Sequence, residues 1–223
     1  MTSRAGTSPA GMGAPRDHAA PMRASAPPAG EMLIARLQAA LAAETAPSSD
    51  FDANPRLSPE PPLRDAGVLA AFHEDDGRLF LTTRAATMRH HPGQIALPGG
   101  KVDPGDADAI AAALREAQEE IGLDPRQLTL IGTLPPHLTV TRFRITPVVA
   151  VIRGPFTPIA EPGEVAEVFA LPFDHIARPA NYRLEGRIWR GEWRAYSVAP
   201  YGPYYLWGAT ARILLGLAER LSA

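Results

Sequence analysis

Three glutamates occur close together in a segment that the sequence predicts to be helical. Glu116, Glu119 and Glu120 are spaced i, i+3 and i+4, so a helix would place their carboxylates on one patch of its surface. Like charges at this spacing destabilise a helix by roughly 0.2–0.5 kcal/mol per pair. A hard divalent cation such as Mg²⁺ would offset that repulsion, because it binds carboxylate oxygens. The alternative is a solvated acidic face, which the three glutamates on their own favour.

A glycine-rich turn precedes this helix. Gly99 and Gly100 follow an apolar run, and adjacent glycines let the backbone turn tightly and approach a ligand. Pro104 and the aspartates around it mark the start of a helix, which we expect to run from Asp106 to Ile121. One stripe of this helix is apolar and predicts its buried face. The stripe contains Ile110, Ala113, Leu114, Ala117 and Ile121.

This stretch resembles the Nudix box, a family signature written G-x5-E-x7-R-E-U-x-E-E-x-G-U, in which U is a bulky apolar residue. Residues 115–123 read Arg-Glu-Ala-Gln-Glu-Glu-Ile-Gly-Leu and match its second half, with Ala117 small for its position. The first half departs from the signature. Counted from Gly100, Asp106 stands where the signature has Glu, and eight residues rather than seven separate it from Arg115. The resemblance carries least weight at this first acidic position.

A second stretch resembles the coenzyme A pyrophosphatase branch of the Nudix hydrolases. That branch typically reads L-L-T-x-R-[S/A], then a spacer, then H-x-G-x-[apolar]-[S/A]-F-P-G-G. Here residues 81–85 read Leu-Thr-Thr-Arg-Ala, and residues 91–100 read His-Pro-Gly-Gln-Ile-Ala-Leu-Pro-Gly-Gly, with Leu97 in the place of Phe. Residues 164–169 and 207–211 also look like later blocks of this branch. The resemblance extends over roughly residues 63–221.

The resemblance implies a hydrolase that uses Mg²⁺ or Mn²⁺ to cleave a diphosphate linkage. Metal ions can neutralise the charge of a diphosphate and lower the pKa of a bound water. Glu116 and Glu120 are the first candidates for metal ligands, and Glu119 is either a third ligand or the general base. The resemblance also suggests a metal contact from the backbone carbonyl of Gly100. Arg115 would orient Glu116 through a charge-assisted hydrogen bond.

Further candidates come from the flanking segments. Glu164 and Glu167 are alternative general bases, unless they only form an exposed strand edge. Arg84 and Lys101 would contact substrate phosphates; the alternatives are an ion pair with a core carboxylate for Arg84 and a solvated loop position for Lys101. His91 is a candidate substrate contact, although a histidine in such a loop can simply hydrogen-bond within a turn.

Composition limits the class of protein. The chain has 223 residues, a formal net charge of -2 and no cysteine. Disulfides, thiolate metal sites and thiol nucleophiles are therefore excluded, and the near-neutral charge argues against a nucleic-acid partner. No apolar run reaches the roughly 18 residues of a membrane-spanning helix. We expect a cytoplasmic protein with no membrane partner, and the oligomeric state stays open.

The segments that must position these residues are predicted from composition and apolar patterns. Residues 1–30 are rich in Pro, Gly and Ala and are expected to be disordered. Residues 31–62 are expected to form a short helix, Glu31–Glu44, and a linker, and residues 63–223 the compact domain. The predicted strands are Ala66–Phe72, Leu79–Thr83, Leu128–Leu134, Ile145–Ile152 and Val165–Leu171, with a hairpin around Asp75–Gly77, another over Arg187–Ser197 and a final helix over about Tyr205–Leu221. This mixture predicts an α/β protein, and the resemblance implies a Nudix-like α/β/α sandwich with a mixed sheet.

The function implied by the resemblance is hydrolysis of coenzyme A or its thioesters. The products would be 3′,5′-ADP and 4′-phosphopantetheine or its acyl form. One alternative is another Nudix substrate, such as ADP-ribose, a dinucleotide or an oxidised nucleotide. The other is a ligand-sensing Nudix-like module without catalysis. A sensor could lose its glutamates freely, so the retention of Glu116, Glu119 and Glu120 argues against it.

Overall fold

The computed structural model describes residues 30–43, 46–89, 91–189 and 191–223. Its helices are α1 (Gly30–Ala42), α2 (Ala109–Ile121), α3 (Phe173–Ile176) and α4 (Gly208–Leu221). Its strands are β1 (Arg64–His73), β2 (Leu79–Arg84), β3 (Ile95–Ala96), β4 (Gly99–Lys101), β5 (Leu128–Thr133), β6 (His137–Leu138), β7 (Phe143–Ile152), β8 (Val165–Leu171), β9 (Arg183–Trp189), β10 (Glu192–Tyr201) and β11 (Tyr204–Trp207). Among these residues, none of the helices combines the length and the apolar character needed to span a membrane.

The larger sheet is built around a parallel pair of strands, β1 and β7. They pair along their whole length, from Arg64 opposite Phe143 to His73 opposite Ile152. β2 and β4 pair antiparallel with β1, β5 and β6 pair antiparallel with β7, and β3 and β8 pair antiparallel with β2. The sheet is therefore mixed, as the sequence predicts. A smaller antiparallel sheet has the order β11-β10-β9.

Helices cover both faces of the central pair. Successive side chains of a strand point to opposite faces, and β1 and β7 are apolar on both. One face packs against α2, and the other packs against α1, α3 and α4. The residues on the α2 face are Leu69, Ala71, Val148, Ala150 and Ile152. Burial on both sides explains the continuous apolar runs of these two strands, and it confirms the α/β/α sandwich.

Helix α1 belongs to this core. Leu33 and Leu37 are fully buried in one cluster with residues of α4. The segment that follows α1 also binds the rest of the fold, because the Asp50 carboxylate accepts from His137 Nε2 at 3.1 Å and from the Val140 N–H at 3.0 Å. The sequence places residues 31–62 ahead of the compact domain, whereas the structure packs α1 and Asp50 onto it. The prediction of disorder for residues 1–30 falls outside the described residues, apart from Gly30, which begins α1.

The predicted start of α2 is wrong by three residues. The helix begins at Ala109 rather than Asp106. Asp108 caps it, since its Oδ1 accepts the N–H of Ile110 at 2.9 Å and of Ala111 at 2.8 Å. Such a cap satisfies N–H groups that have no partner within the helix, and it leaves Asp106 in the preceding loop.

The last predicted helix is also shorter than expected. Tyr204–Trp207 forms β11 instead, with Tyr204 opposite Tyr201 and Trp207 opposite Val198 of β10, and α4 begins at Gly208. Both predicted hairpins are confirmed. Phe72 lies opposite Leu79 in the first hairpin, and β9 and β10 extend the second beyond the predicted ends.

Glycines allow close packing of α2 on β1 and of β4 beside β1. A Cβ atom on the buried Gly67 would lie 1.8 Å from the carbonyl oxygen of Ala109, and one on Gly99 would lie 2.4 Å from the carbonyl oxygen of Gly67. Gly99 also has a φ of 153°, which a residue with a side chain rarely adopts. Backbone therefore meets backbone where the helix crosses the sheet.

We expect Gly67→Ala to destabilise the protein by about 1–3 kcal/mol, because the added methyl must push α2 away from β1. Gly105→Ala is the matched control. A Cβ atom there has open space around it, and the change in the free energy of unfolding should stay below about 1 kcal/mol. Urea denaturation of the two variants measures the difference, and equal stabilities would contradict the packing constraint.

Candidate metal centre

Three carboxylates converge beside α2. Glu116 and Glu120 lie one helical turn apart on α2, and Glu164 immediately precedes β8. Each offers one oxygen, and these oxygens all lie within 4.8 Å of one another. Glu120 is buried, Glu116 is half-buried and Glu164 is exposed, so the cluster opens to solvent on one side. Clustered carboxylate oxygens are the donors that a hard divalent cation prefers.

Glu120 is the buried member of the cluster. Burial raises the pKa of its carboxyl to about 7, the hydrogen bond from Gly99 opposes that rise, and the charge of Glu116 adds to it. The Gly99 N–H donates to Glu120 Oε2 at 3.1 Å and holds the carboxylate against β4. Burial disfavours the ionised form of this carboxyl, and a cation bound beside it would favour that form.

Glu116 lies against the backbone of β4. A Cβ atom on Gly100 would lie 2.2 Å from Glu116 Oε1, so the carboxylate occupies the space that a side chain would need. Burial raises the pKa of Glu116 as well, the Arg115 guanidinium opposes the rise, and the charge of Glu164 adds to it. The geometry brings the Gly100 backbone to the cluster, and metal coordination by its carbonyl stays a prediction.

Arg115 binds the acidic groups around it. Its Nε and Nη2 donate to the two carboxylate oxygens of Asp106 at 3.0 and 2.9 Å. Its Nη1 donates to Glu116 Oε1 and to Glu119 Oε2, both at 3.0 Å, and its Nη2 also donates to the Lys101 carbonyl at 3.2 Å. The hydrogen bonds to Asp106 raise the pKa of Arg115 further above its usual range. The guanidinium thus fixes the orientation of Glu116.

Asp106 is the residue whose role could not be assigned from the sequence. Its side chain is only 7% exposed, and the Asp103 N–H donates to its Oδ2 at 2.8 Å. The hydrogen bonds from Arg115 hold the pKa of Asp106 below its usual range. Asp106 therefore orients Arg115, which in turn orients Glu116. The sequence indicated this role only through its type: an acidic residue stands where the signature has Glu, counted from Gly100.

Glu119 lies outside the group of three carboxylates. It is exposed on α2, and its contact is the hydrogen bond from Arg115. Glu164, from the segment before β8, joins Glu116 and Glu120 instead. The assignment of Glu119 as a third ligand or as the general base stays a prediction, and so does the assignment of Glu164 as a base.

The predicted substrate contacts differ in their distance from the cluster. Arg84 is half-buried at the end of β2, and its charge opposes the rise in the pKa of Glu120. The next residue, Ala85, donates its N–H to the Glu164 carbonyl at 2.8 Å, so Arg84 lies beside the cluster. The side chain of Lys101 is exposed at the end of β4, and His91 is exposed at a φ of 54° in the turn between β2 and β3.

Comparison with known proteins identifies the family. The sequence model of the NUDIX domain matches residues 63–190, which is more than half of the chain and includes all three clustered carboxylates. The chain belongs to the Nudix family. Among its relatives is the protein named "Uncharacterized Nudix hydrolase NudL" of Cronobacter sakazakii, which is 44% identical over 159 residues and matches over 71% of this chain and 83% of its own length.

A plant protein is also similar to this Nudix chain. "Nudix hydrolase 15, mitochondrial" of Arabidopsis thaliana is 39% identical over 166 residues, which cover 71% of this chain and 58% of the plant protein. Among solved structures, a MutT/nudix family protein from Enterococcus faecalis is 14% identical, with a TM-score of 0.45 over 74% of this chain and 64% of that one.

Replacing Glu120 by Gln is expected to stabilise the metal-free protein at alkaline pH. The folded-state pKa of about 7 exceeds the ordinary 4.5, so the free energy of unfolding falls as the pH rises from 4.5 to 7. Gln stays neutral and still accepts the Gly99 N–H, so the variant should avoid this loss. Thermal denaturation in EDTA should show a gain of about 1–3 kcal/mol at pH 8 and little difference at pH 4.5.

Glu119→Gln, on the exposed side of the same helical turn, is the matched control for this measurement. It should change the free energy of unfolding by less than about 0.5 kcal/mol. A Glu120→Gln protein that is no more stable than the parent at pH 8 would show that burying the ionised carboxylate does not lower the free energy of unfolding.

Proposed function

We propose that this Nudix protein hydrolyses the diphosphate linkage of coenzyme A or acyl-CoA with the help of Mg²⁺ or Mn²⁺. The products would be 3′,5′-ADP and 4′-phosphopantetheine or its acyl form. The observation that carries the metal-dependent reaction is the convergence of Glu116, Glu120 and Glu164 within 4.8 Å. Coenzyme A as the substrate rests on the resemblance of residues 81–100 to that branch, together with the position of Arg84 beside the cluster.

The residues present fit a hard divalent cation. The donors are carboxylate oxygens at one buried, one half-buried and one exposed position, and the chain has no thiol that would favour a softer metal. When bound, such an ion would neutralise the diphosphate and lower the pKa of a bound water. Nudix hydrolases generally use divalent metal ions, in agreement with this donor set.

The residues of the chain have separate tasks in this proposal. Asp106 and Arg115 hold Glu116 in place before substrate arrives, which reduces the reorganisation that binding would require. The Gly99 N–H holds Glu120 in the same way. Glu164 is the exposed member of the cluster, and in this proposal it either completes the set of cation ligands or acts as the general base. Glu119 is the alternative base, although its carboxylate is held by Arg115.

Arg84 is the proposed contact for a substrate phosphate. A guanidinium binds phosphate oxygens in a bidentate manner, and the 3′-phosphate of coenzyme A is carried by the ribose next to the diphosphate, where a guanidinium beside the cluster could reach it. Lys101 and His91 are exposed and are the next candidates. The cytoplasmic location and the absence of nucleic-acid and membrane partners stay predictions.

Identification of the products tests the proposed reaction. The protein would be incubated with coenzyme A, ADP-ribose, NADH, diadenosine polyphosphates and 8-oxo-dGTP in the presence of Mg²⁺ or Mn²⁺. We expect 3′,5′-ADP and 4′-phosphopantetheine from coenzyme A, and no reaction in excess EDTA. Cleavage of ADP-ribose but not of coenzyme A would contradict the substrate and leave the metal centre standing. No cleavage of any compound would support the sensor alternative.

Glu120→Gln should lower kcat by at least about a hundredfold, because both the water and the diphosphate charge depend on the metal. The same variant is expected to gain stability in the absence of metal, so its loss of activity could not be attributed to unfolding. Steady-state kinetics at saturating Mn²⁺ would be paired with the melting temperature. A near-normal kcat would remove Glu120 from the metal centre.

Arg84→Ala is expected to reduce the preference for coenzyme A over dephospho-CoA, which lacks only the 3′-phosphate. A charge-assisted hydrogen bond is worth about 1.5–3 kcal/mol, and an open site favours the low end, or about a tenfold change in the ratio of kcat/KM values. Arg56→Ala, at an exposed position outside the NUDIX match, is the control. Equal kcat/KM values for the two substrates in the parent would remove the argument from the 3′-phosphate. An unchanged ratio in the variant would exclude Arg84 as its source.

A further inference from the structure

The smaller sheet carries an exposed apolar patch at one end. Leu184, Ile188 and Trp193 are 62%, 73% and 67% exposed. Leu184 and Ile188 lie on one face of β9, and Trp193 lies directly opposite Ile188 on β10, so all three side chains share a face. Clustered exposed apolar side chains of this size mark interaction sites.

The patch lies along an edge strand. In the sheet order β11-β10-β9, β10 pairs with β9 from Arg183 opposite Val198 to Trp189 opposite Glu192. Within the described part of the chain, no strand pairs with the other edge of β9. An edge of seven residues with exposed apolar side chains is a template for another strand.

The sequence of β9 is complementary to itself when it is reversed about Gly186. The strand reads Arg-Leu-Glu-Gly-Arg-Ile-Trp. Two copies paired antiparallel with Gly186 at the centre would place Leu184 opposite Ile188. The same register would place Glu185 opposite Arg187, so each charge meets its opposite. Two-fold symmetry would repeat both pairs on the other side of Gly186.

Gly186 provides the space at the centre of this pairing. A Cβ atom on Gly186 would lie 2.3 Å from the ring of Trp193, so the ring lies over this glycine. With a second copy in place, the two Trp193 rings would lie on either side of the symmetry axis. They would then bury the apolar patch that each copy exposes alone.

We propose that the partner for this surface is a second copy of the chain, bound through antiparallel pairing of β9 with β9 and centred on Gly186. The pairing would join two three-stranded sheets into one continuous sheet. It would give the outer backbone N–H and C=O groups of β9 hydrogen-bond partners and cover Leu184, Ile188 and Trp193. The dimer is independent of the proposed substrate.

Site-specific cross-linking tests the register. The chain has no cysteine, so an introduced thiol is the only one in each variant and any disulfide must involve it. A mixture of Leu184→Cys protein and Ile188→Cys protein should form a disulfide-linked dimer several-fold more efficiently than either variant alone. In the mixture the two thiols are opposite each other, whereas in either variant alone they are about 13 Å apart along the strands, too far for a disulfide. Val140→Cys, an exposed position elsewhere, mixed with Ile188→Cys is the matched control.

Sedimentation velocity tests the dimer without cross-linking. The parent protein should change from monomer to dimer as its concentration rises. The double variant Leu184→Lys, Ile188→Lys should stay monomeric, Val140→Lys should behave as the parent, and circular dichroism would verify that both variants are folded. A parent that is monomeric at every concentration would overturn the proposal. So would mixed cross-linking that is no better than self-cross-linking.

Discussion

The close approach of α2 to β1 and β4 determines where the functional carboxylates lie. Gly67 removes a side chain from the contact with β1, so the helix backbone meets the sheet backbone directly, and Gly99 lets β4 lie close to β1. Glu116 can then lie against Gly100, and Glu120 can accept the Gly99 N–H. The contact that packs the helix on the sheet is therefore also the one that positions the candidate ligands. A change in the packing of α2 would therefore displace Glu116 and Glu120.

Arg115 partly neutralises the carboxylates on and beside α2. It binds Asp106, Glu116 and Glu119 at once, and it opposes the rise in the pKa of Glu116 that burial causes. The exposed Glu164 lies at the open side of the cluster, away from this network of hydrogen bonds. Arg115 thereby reduces the repulsion among the carboxylates of α2, and the cluster stays open to a cation on the side of Glu164.

Local patterns predicted the elements whose burial is regular. The bounds of β8 are those expected, and β1 and β7 extend only slightly beyond their apolar runs, because alternation and apolar content are properties of the segment itself. Contacts between distant segments could not be read in this way. The start of α4 was missed because Tyr204–Trp207 pairs with β10. The convergence of Glu164 with α2 depends on the pairing of β8 with β2, and the role of Asp106 depends on a loop that folds back onto Arg115.

The first and last helices of the described fold complete each other. Leu33 and Leu37 of α1 are buried in one cluster with Leu217 of α4, and Arg220 donates to the carbonyls of Ala40 and Ala43 at the end of α1. The last carbonyls of a helix need partners from outside it. A ribosome makes α1 long before it makes α4. During synthesis the apolar face of α1 therefore lacks its contacts with α4 until α4 has left the exit tunnel. A truncation that removed the last turns of α4 would expose this face again.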